Sequence, residues 1–127
     1  MTFRHDMILK HMLDQSPQLD RVFHALSDPT RRAVLDRLTQ GSASVSELAA
    51  PFETTLASIV QHVQVLEASG LISTEKIGRT RTCCVSAEAI ARAEQWLSAR
   101  RELWEARLDR MEAYVLKLQT AEKKRGR

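Results

Sequence analysis

SVSELAAPFETTLASIVQHVQVLEASGLISTEKIGRTRTCCVS, residues 44 to 86, is the stretch whose reading decides the fold. Ser44 with Glu47 three residues on has the spacing of a capping box, which satisfies the free N–H groups of a helix start. Pro51 follows and closes that short helix. Thr55 can cap a second helix, whose apolar positions Leu56, Ile59, Val63 and Leu66 recur at three- and four-residue steps. Gly70 stands where a left-handed residue ends a helix, and Leu71 and Ile72 resume the hydrophobic run. Ser73 to Ile77 and Thr82 to Val85 then read as two brief strands around Gly78-Arg79-Thr80-Arg81. Helix, turn, helix and basic hairpin, in that order, make a winged helix-turn-helix. Such a unit can lay its second helix in a DNA major groove while the hairpin reaches sideways to phosphate.

Outward from this stretch, Met7, Ile8, Met12 and Leu13 suggest a short amphipathic segment within residues 1–15. Ser16 then Pro17 is a cap followed by proline at the first helical position, and Leu19, Val22, Phe23 and Leu26 supply one apolar face. Asp28 and Pro29 repeat that start signal for a helix carrying Ala33, Val34, Leu35 and Leu38 and stopping at Gly41. After the hairpin, Ser86 can cap a last helix over residues 87–121, followed by a basic tail at 122–127. The expected organisation is one structural domain: an N-terminal segment, a winged helix-turn-helix core at 16–86, a long dimerisation helix and the tail. The fold class is mainly α with a small β-hairpin wing.

Three runs carry a resemblance to a known family: ALSDPTRRAVLDRL from Ala25 to Leu38, SELA from Ser46 to Ala49, and HVQVLEASGLI from His62 to Ile72. With the GRTRT wing at Gly78 to Thr82 and the tryptophan-bearing helix after it, the chain resembles the ArsR/SmtB group of bacterial transcription repressors. The resemblance implies a dimeric repressor that leaves its operator when an effector, often a metal ion, binds. It does not name the effector.

Composition sets independent bounds. A chain of 127 residues is one domain by length, small enough that burial alone leaves stability modest. No run is long and apolar enough to span a membrane, and Arg4, His5, Asp6, Lys10 and His11 interrupt any secretory signal core. The expected location is the cytoplasm, where both cysteines stay reduced. The net charge of +3 does not mark the DNA-binding core, because residues 17–86 carry seven basic and seven acidic side chains. The excess comes from residues 87–127, with ten basic against seven acidic, largely the terminal Lys123-Lys124-Arg125-Gly126-Arg127. That end reads as a solvated tail.

The long helix carries the oligomerisation argument. Its apolar positions run Ile90, Ala93, Leu97, Trp104, Leu108, Met111, Val115 and Leu118, widened by Trp96, Leu103 and Tyr114. One small domain cannot cover both sides of about 35 such residues, roughly 50 Å of helix. Leu97, Trp104, Leu108, Met111 and Val115 are therefore expected in a homodimer interface, the alternative being that the helix folds back on its own first helix. A two-fold symmetric dimer matches a pseudo-palindromic double-stranded operator.

Expected DNA contacts are Thr55, Ala57, Ser58, Gln61, His62 and Gln64 on the second helix, with Arg79 and Arg81 at the wing. Glutamine can bond adenine edges with two hydrogen bonds, and hydroxyls can reach bases or phosphate. Leu56 to Ser69 holds no Lys or Arg, whereas family members commonly read Ser-Lys-His here with a further basic residue two positions on. This chain has Val60, Gln61, His62 and Gln64 at those places; Val60 can contact a thymine methyl or pack inward, packing being the favoured reading. Arg31 and Arg32, near a helix start, are assigned to ion pairs or surface solvation.

No cofactor or metal is expected. Cysteine-bearing family members place Cys-Val-Cys on the helix that here reads Ser46 to Ala50, and residues 87–127 contain no histidine for the family's other site. Cys83 and Cys84 are adjacent in a strand and so point to opposite faces. Inert packing is the favoured reading of the pair, redox sensing the second, soft-metal binding the third. Catalysis is not expected, since no glycine-rich phosphate loop, nucleophile elbow or paired carboxylates appear. The rival to DNA binding is a winged-helix protein-interaction module, which the cation-free second helix favours and the wing arginines oppose.

Overall fold

The computed structural model describes residues 17–126. The amphipathic segment expected at residues 1–15 and the cap expected at Ser16 lie outside the described residues. The elements are α1 (residues 17–26), α2 (Pro29–Thr39), β1 (Ala43–Ser44), α3 (Val45–Ala49), α4 (Leu56–Ala68), β2 (Ile72–Ile77), β3 (Thr80–Val85) and α5 (Ala87–Arg125).

Local chemistry accounts for most of these boundaries. Asp28 is extended and its carboxylate accepts the Arg31 N–H at 3.0 Å, with Pro29 at the first helical position of α2. Ser44 accepts the Glu47 N–H at 3.1 Å, but the reciprocal arm differs from a capping box. Glu47 Oε1 takes the Ser44 hydroxyl instead of a backbone N–H, at 3.1 Å. Thr55 caps α4 by accepting the Ser58 N–H at 3.1 Å. At the other end of α4, Gly70 has φ +84°, its N–H bonds to Glu67 O, and the Leu71 N–H bonds to Leu66 O. That pair of bonds is a Schellman motif, sealed by two side chains, Leu66 and Leu71, that are fully buried.

Three antiparallel strands form the sheet in the order β1-β3-β2, so the wing is backed by a strand the hairpin reading lacks. Ala43 pairs with Cys83 and Ser44 with Thr82, a non-local contact that a two-residue strand cannot announce by periodicity. The Ile77–Thr80 pair closes the wing on Gly78 and Arg79 alone. Gly78 has φ +64° and Arg79 does not, the pattern of a type II′ turn, whose twist suits a hairpin. Thr80 and Arg81, read as turn residues from sequence, therefore belong to β3.

The chain divides into two compact units, one ending at Ala93 and one beginning at Glu94, and α5 contributes to both. In the first unit, Val34, Leu35 and Leu38 from α2, Leu48 from α3, Ile59, Val63 and Leu66 from α4, Leu71 just before β2, and Ile72 and Cys83 from the strands share one core with Ala89 and Ala93. From α1 the buried residues are Val22 and Ala25, not Phe23, which is exposed together with Ala33 of α2. Leu56, expected on the core face of α4, is exposed as well, because it precedes the first turn that reaches the core.

The second unit is helical from residue 94 to residue 125. Here α5 runs four residues past the expected end at Ala121. Lys123, Lys124 and Arg125 fall in its last turn, where cations favour the negative end of the helix dipole, so the expected tail is helical through Arg125. Leu97, Trp104, Met111 and Leu118 recur every seventh residue, with Leu108 and Val115 beside them, and all six are 44–59% exposed in the single chain. The Arg100 guanidinium lies 4.2 Å from the Trp96 ring centroid, and the exposed Arg101–Glu105 pair at 3.9 Å adds little.

Candidate nucleic-acid interface

Helix α4 has three kinds of face. Ile59, Val63 and Leu66 anchor it to the core. Ala57, Gln61, Gln64 and Ala68, at i, i+4, i+7 and i+11, form an exposed row opposite. The glutamine amides make no hydrogen bond to any described residue and so are available to a ligand. Ser58 and His62 lie on the flank toward α2, while Leu56, Val60 and Glu67 lie on the flank toward the wing.

On the wing side, a cleft of about 450 Å³ runs between the start of α3, the flank of α4 and the wing. Its walls include Val60, Gln64, Glu67, Arg79 and Arg81. Val60 is half-buried there, neither packed in the core nor free on the outer face. The two wing arginines differ in a way their spacing did not reveal. Arg79 sits in the turn, exposed at the hairpin tip. Arg81 sits opposite Lys76 in β3 and donates from Nη1 to Thr74 Oγ1 at 3.0 Å, and Thr74 in turn donates to Glu67 Oε2 at 3.0 Å. Arg81 is thus one end of a strut joining wing to α4, with a carboxylate at the other end.

On the α2 side, Arg31 overturns its surface assignment. It is 9% exposed and donates from Nε to Ala25 O at 2.8 Å and from Nη2 to His24 O at 3.0 Å, capping the end of α1. Nη1 reaches His62 Nδ1 at 3.3 Å, and Asp28 Oδ2 lies 3.8 Å from the same nitrogen. The N–H of Arg31 at the Asp28 carboxylate, reinforced by the Arg31 charge, holds the Asp28 carboxyl below its ordinary value. Arg32 meets the solvation reading halfway: it is exposed, yet its Nη1 caps Leu26 O at 2.7 Å. The periodicity of α2 is the signal that separates these two arginines, since Arg31 stands at i to Val34, Leu35 and Leu38 at i+3, i+4 and i+7, on their side of the helix.

Of the other expected residues, Thr55 spends its oxygen on the cap and keeps its hydroxyl proton to donate, and Ala57 is exposed without a polar group. Cys83 is buried and Cys84 exposed on the opposite face of β3, as alternation requires. Burial, with Glu67 and Cys84 adding to it, pushes the Cys83 thiol above its ordinary range. No group of three or more His, Cys, Asp or Glu among the described residues could hold a metal ion. No helix among them is long and apolar enough to cross a membrane.

Helices α2 to α4 followed by the β2–β3 hairpin define a winged helix-turn-helix fold. A helix-turn-helix domain family matches residues 26–75. A crystal structure of an ArsR family transcriptional regulator is 53% identical, superposes with a TM-score of 0.67, and is covered over 97% of its length by 69% of this chain. The HTH-type transcriptional regulator Rv2034 of Mycobacterium tuberculosis is 37% identical over 62 residues, 49% of this chain and 58% of that regulator. The homodimeric winged helix-turn-helix DNA-binding domain of Mb0332 from Mycobacterium bovis is 26% identical with a TM-score of 0.59, over 72% of this chain and 87% of that one. The chain belongs to the ArsR/SmtB family of winged helix-turn-helix transcriptional regulators. It spans a little over half the length of the curated Mycobacterium tuberculosis relative.

Proposed function

We propose that the protein is a homodimeric repressor that binds a pseudo-palindromic operator, with α4 in the major groove and the wing against the flanking backbone. The observation that carries the reading is the outward row of Gln61 and Gln64 beside a wing turn that exposes Arg79. Gln61 and Gln64 read base edges, and Arg79 neutralises phosphate or enters the minor groove. Thr55, Ser58 and His62 supply uncharged contacts on the α2 flank, and Ala57 packs against a base or sugar. Arg81 stands closer to a structural strut than to a free contact, yet it is exposed and lines the same cleft.

Self-association follows from the apolar row Leu97, Trp104, Leu108, Met111 and Val115, which lies in water in the single chain. Each buried apolar Å² contributes about 25 cal/mol, so pairing two such rows is favourable. The homodimeric Mycobacterium bovis relative supports the same assembly. On this reading the protein works in the cytoplasm, needs no resident metal, and leaves its operator in response to an effector of unassigned chemistry. Cys84 is the accessible thiol for any redox response and Cys83 its packed neighbour.

The competing reading, a winged-helix module that binds protein, draws on the absence of Lys and Arg from Leu56 to Ser69. A mobility-shift titration with duplexes from upstream of the gene separates the two. Saturable binding of one fragment, resisted by random competitor DNA, is expected. Binding no tighter to that fragment than to random duplex would sink the repressor reading.

A further inference from the structure

The contact between Arg31 and His62 constrains which nitrogen of the imidazole carries a proton. An arginine has five N–H donors and no acceptor, so Nδ1, 3.3 Å from Nη1, must offer its lone pair. A neutral imidazole with an accepting Nδ1 carries its proton on Nε2. Asp28 Oδ2 at 3.8 Å is beyond hydrogen-bond reach of Nδ1 and does not compete for that proton. Every buried side-chain N or O among the described residues has a partner, and none stands at His62 Nε2, so that atom meets solvent. His62 follows Gln61 on the flank of a helix without Lys or Arg, where any phosphate contact has to come from an uncharged donor.

We propose that Arg31 is a positioning residue for DNA binding: its guanidinium holds His62 as the Nε2–H tautomer, so that α4 presents a fixed neutral donor to a backbone phosphate. The proposal rests on the DNA-binding reading above. The same guanidinium grips the carbonyls of His24 and Ala25, so the end of α1 and the flank of α4 share one buried anchor. Arg31 itself never touches DNA, since it is 9% exposed. Lysine at this place keeps the charge but has no rigid fork with which to meet two carbonyls and an imidazole together.

The test has two arms on the full-length protein. Long-range proton–nitrogen NMR on the 15N-labelled parent, free of DNA, reads the His62 tautomer without any substitution. Nε2–H is expected, and Nδ1–H would overturn the proposal whatever the DNA data say. The second arm is a double-mutant cycle of Arg31→Lys and His62→Asn, with His62→Gln as the rescue, titrated on the operator fragment. Asparagine keeps only the inner position and glutamine restores a donor near Nε2. Arg31→Lys and His62→Asn should each weaken binding about three- to tenfold per half-site, the worth of one uncharged hydrogen bond. The double variant should lose no more than the worse single variant, His62→Gln should recover most of the loss, and the salt slope should stay at the parental value. Additive losses, or no rescue by glutamine, would show that Arg31 acts only through α1 and overturn the proposal. If Arg31→Lys does not fold by circular dichroism, the tautomer and the asparagine–glutamine pair still decide it. A parent that binds no fragment at all refutes the repressor reading itself, and a parent that binds well with an insensitive His62 refutes only this proposal.

Discussion

Replacing Arg79 with alanine should weaken binding to operator and random duplex alike, and the size of the loss should depend on salt. Arg79 is one of two residues in the wing turn, exposed and without an ion pair or hydrogen bond to any described residue, so its removal breaks no internal polar contact. One phosphate contact contributes about 0.9 to the slope of log affinity against log salt, and a dimer presents two wings, so the slope should fall by about 1.8. Raising salt from about 50 to about 200 mM weakens the parent by about 12-fold through these two contacts, a penalty that the variant escapes. Gln61→Ala and Gln64→Ala should leave the slope unchanged, yet each should cost about 1 to 3 kcal/mol on the operator and little on random DNA. Arg81→Ala should fall between these patterns, because it also releases Thr74 and leaves Glu67 less compensated near the DNA. Fluorescence anisotropy on a labelled duplex, titrated at four or more salt concentrations, measures each slope. An Arg79→Ala protein with the parental slope and affinity, alongside glutamine variants that lose nothing on the operator, would refute the docking.

Three further outcomes follow from other parts of the molecule. The parent should sediment as a dimer, and Trp104→Ala, which removes the largest side chain of the exposed row, should cost about 3 to 5 kcal/mol of assembly if the ring is fully buried there. A folded monomer at micromolar parent concentration would count against the interface. Under native conditions a maleimide should label Cys84 well before Cys83, read by mass spectrometry, because Cys83 is 0% exposed with its thiol pushed up; equal rates would contradict that burial. The Asp28 carboxyl sits below its ordinary 3.8, so its stabilising contribution is complete above that value and is lost as pH falls through the depressed one. Urea unfolding in that acid range should show a shallower loss of stability for Asp28→Asn, which keeps the cap but cannot titrate, than for the parent; parallel curves would remove Asp28 from the acid response.

What the sequence by itself determined were features whose chemistry is local. Asp28 and Thr55 cap the helices they precede, Gly70 takes the left-handed turn after α4, and the period of Ile59, Val63 and Leu66 orients that helix on the core. Each depends on residues within about five positions, where backbone hydrogen bonds and side-chain geometry leave few alternatives. Cys83 and Cys84 belong with these, since strand alternation alone puts one inside and one outside. The departures that reshape the candidate site involve partners farther along the chain. β1 exists because Ala43 and Ser44 meet Cys83 and Thr82, and Arg81 became a strut because Thr74 and Glu67 stand within reach. Arg31 stays buried because the carbonyls of α1 and the ring of His62 converge on its guanidinium; helical period puts it on the side of Val34 and Leu35, but not which atoms it meets there. Local bonding writes elements into a sequence, whereas which charged side chain is desolvated, paired or left for DNA depends on what the folded chain brings beside it.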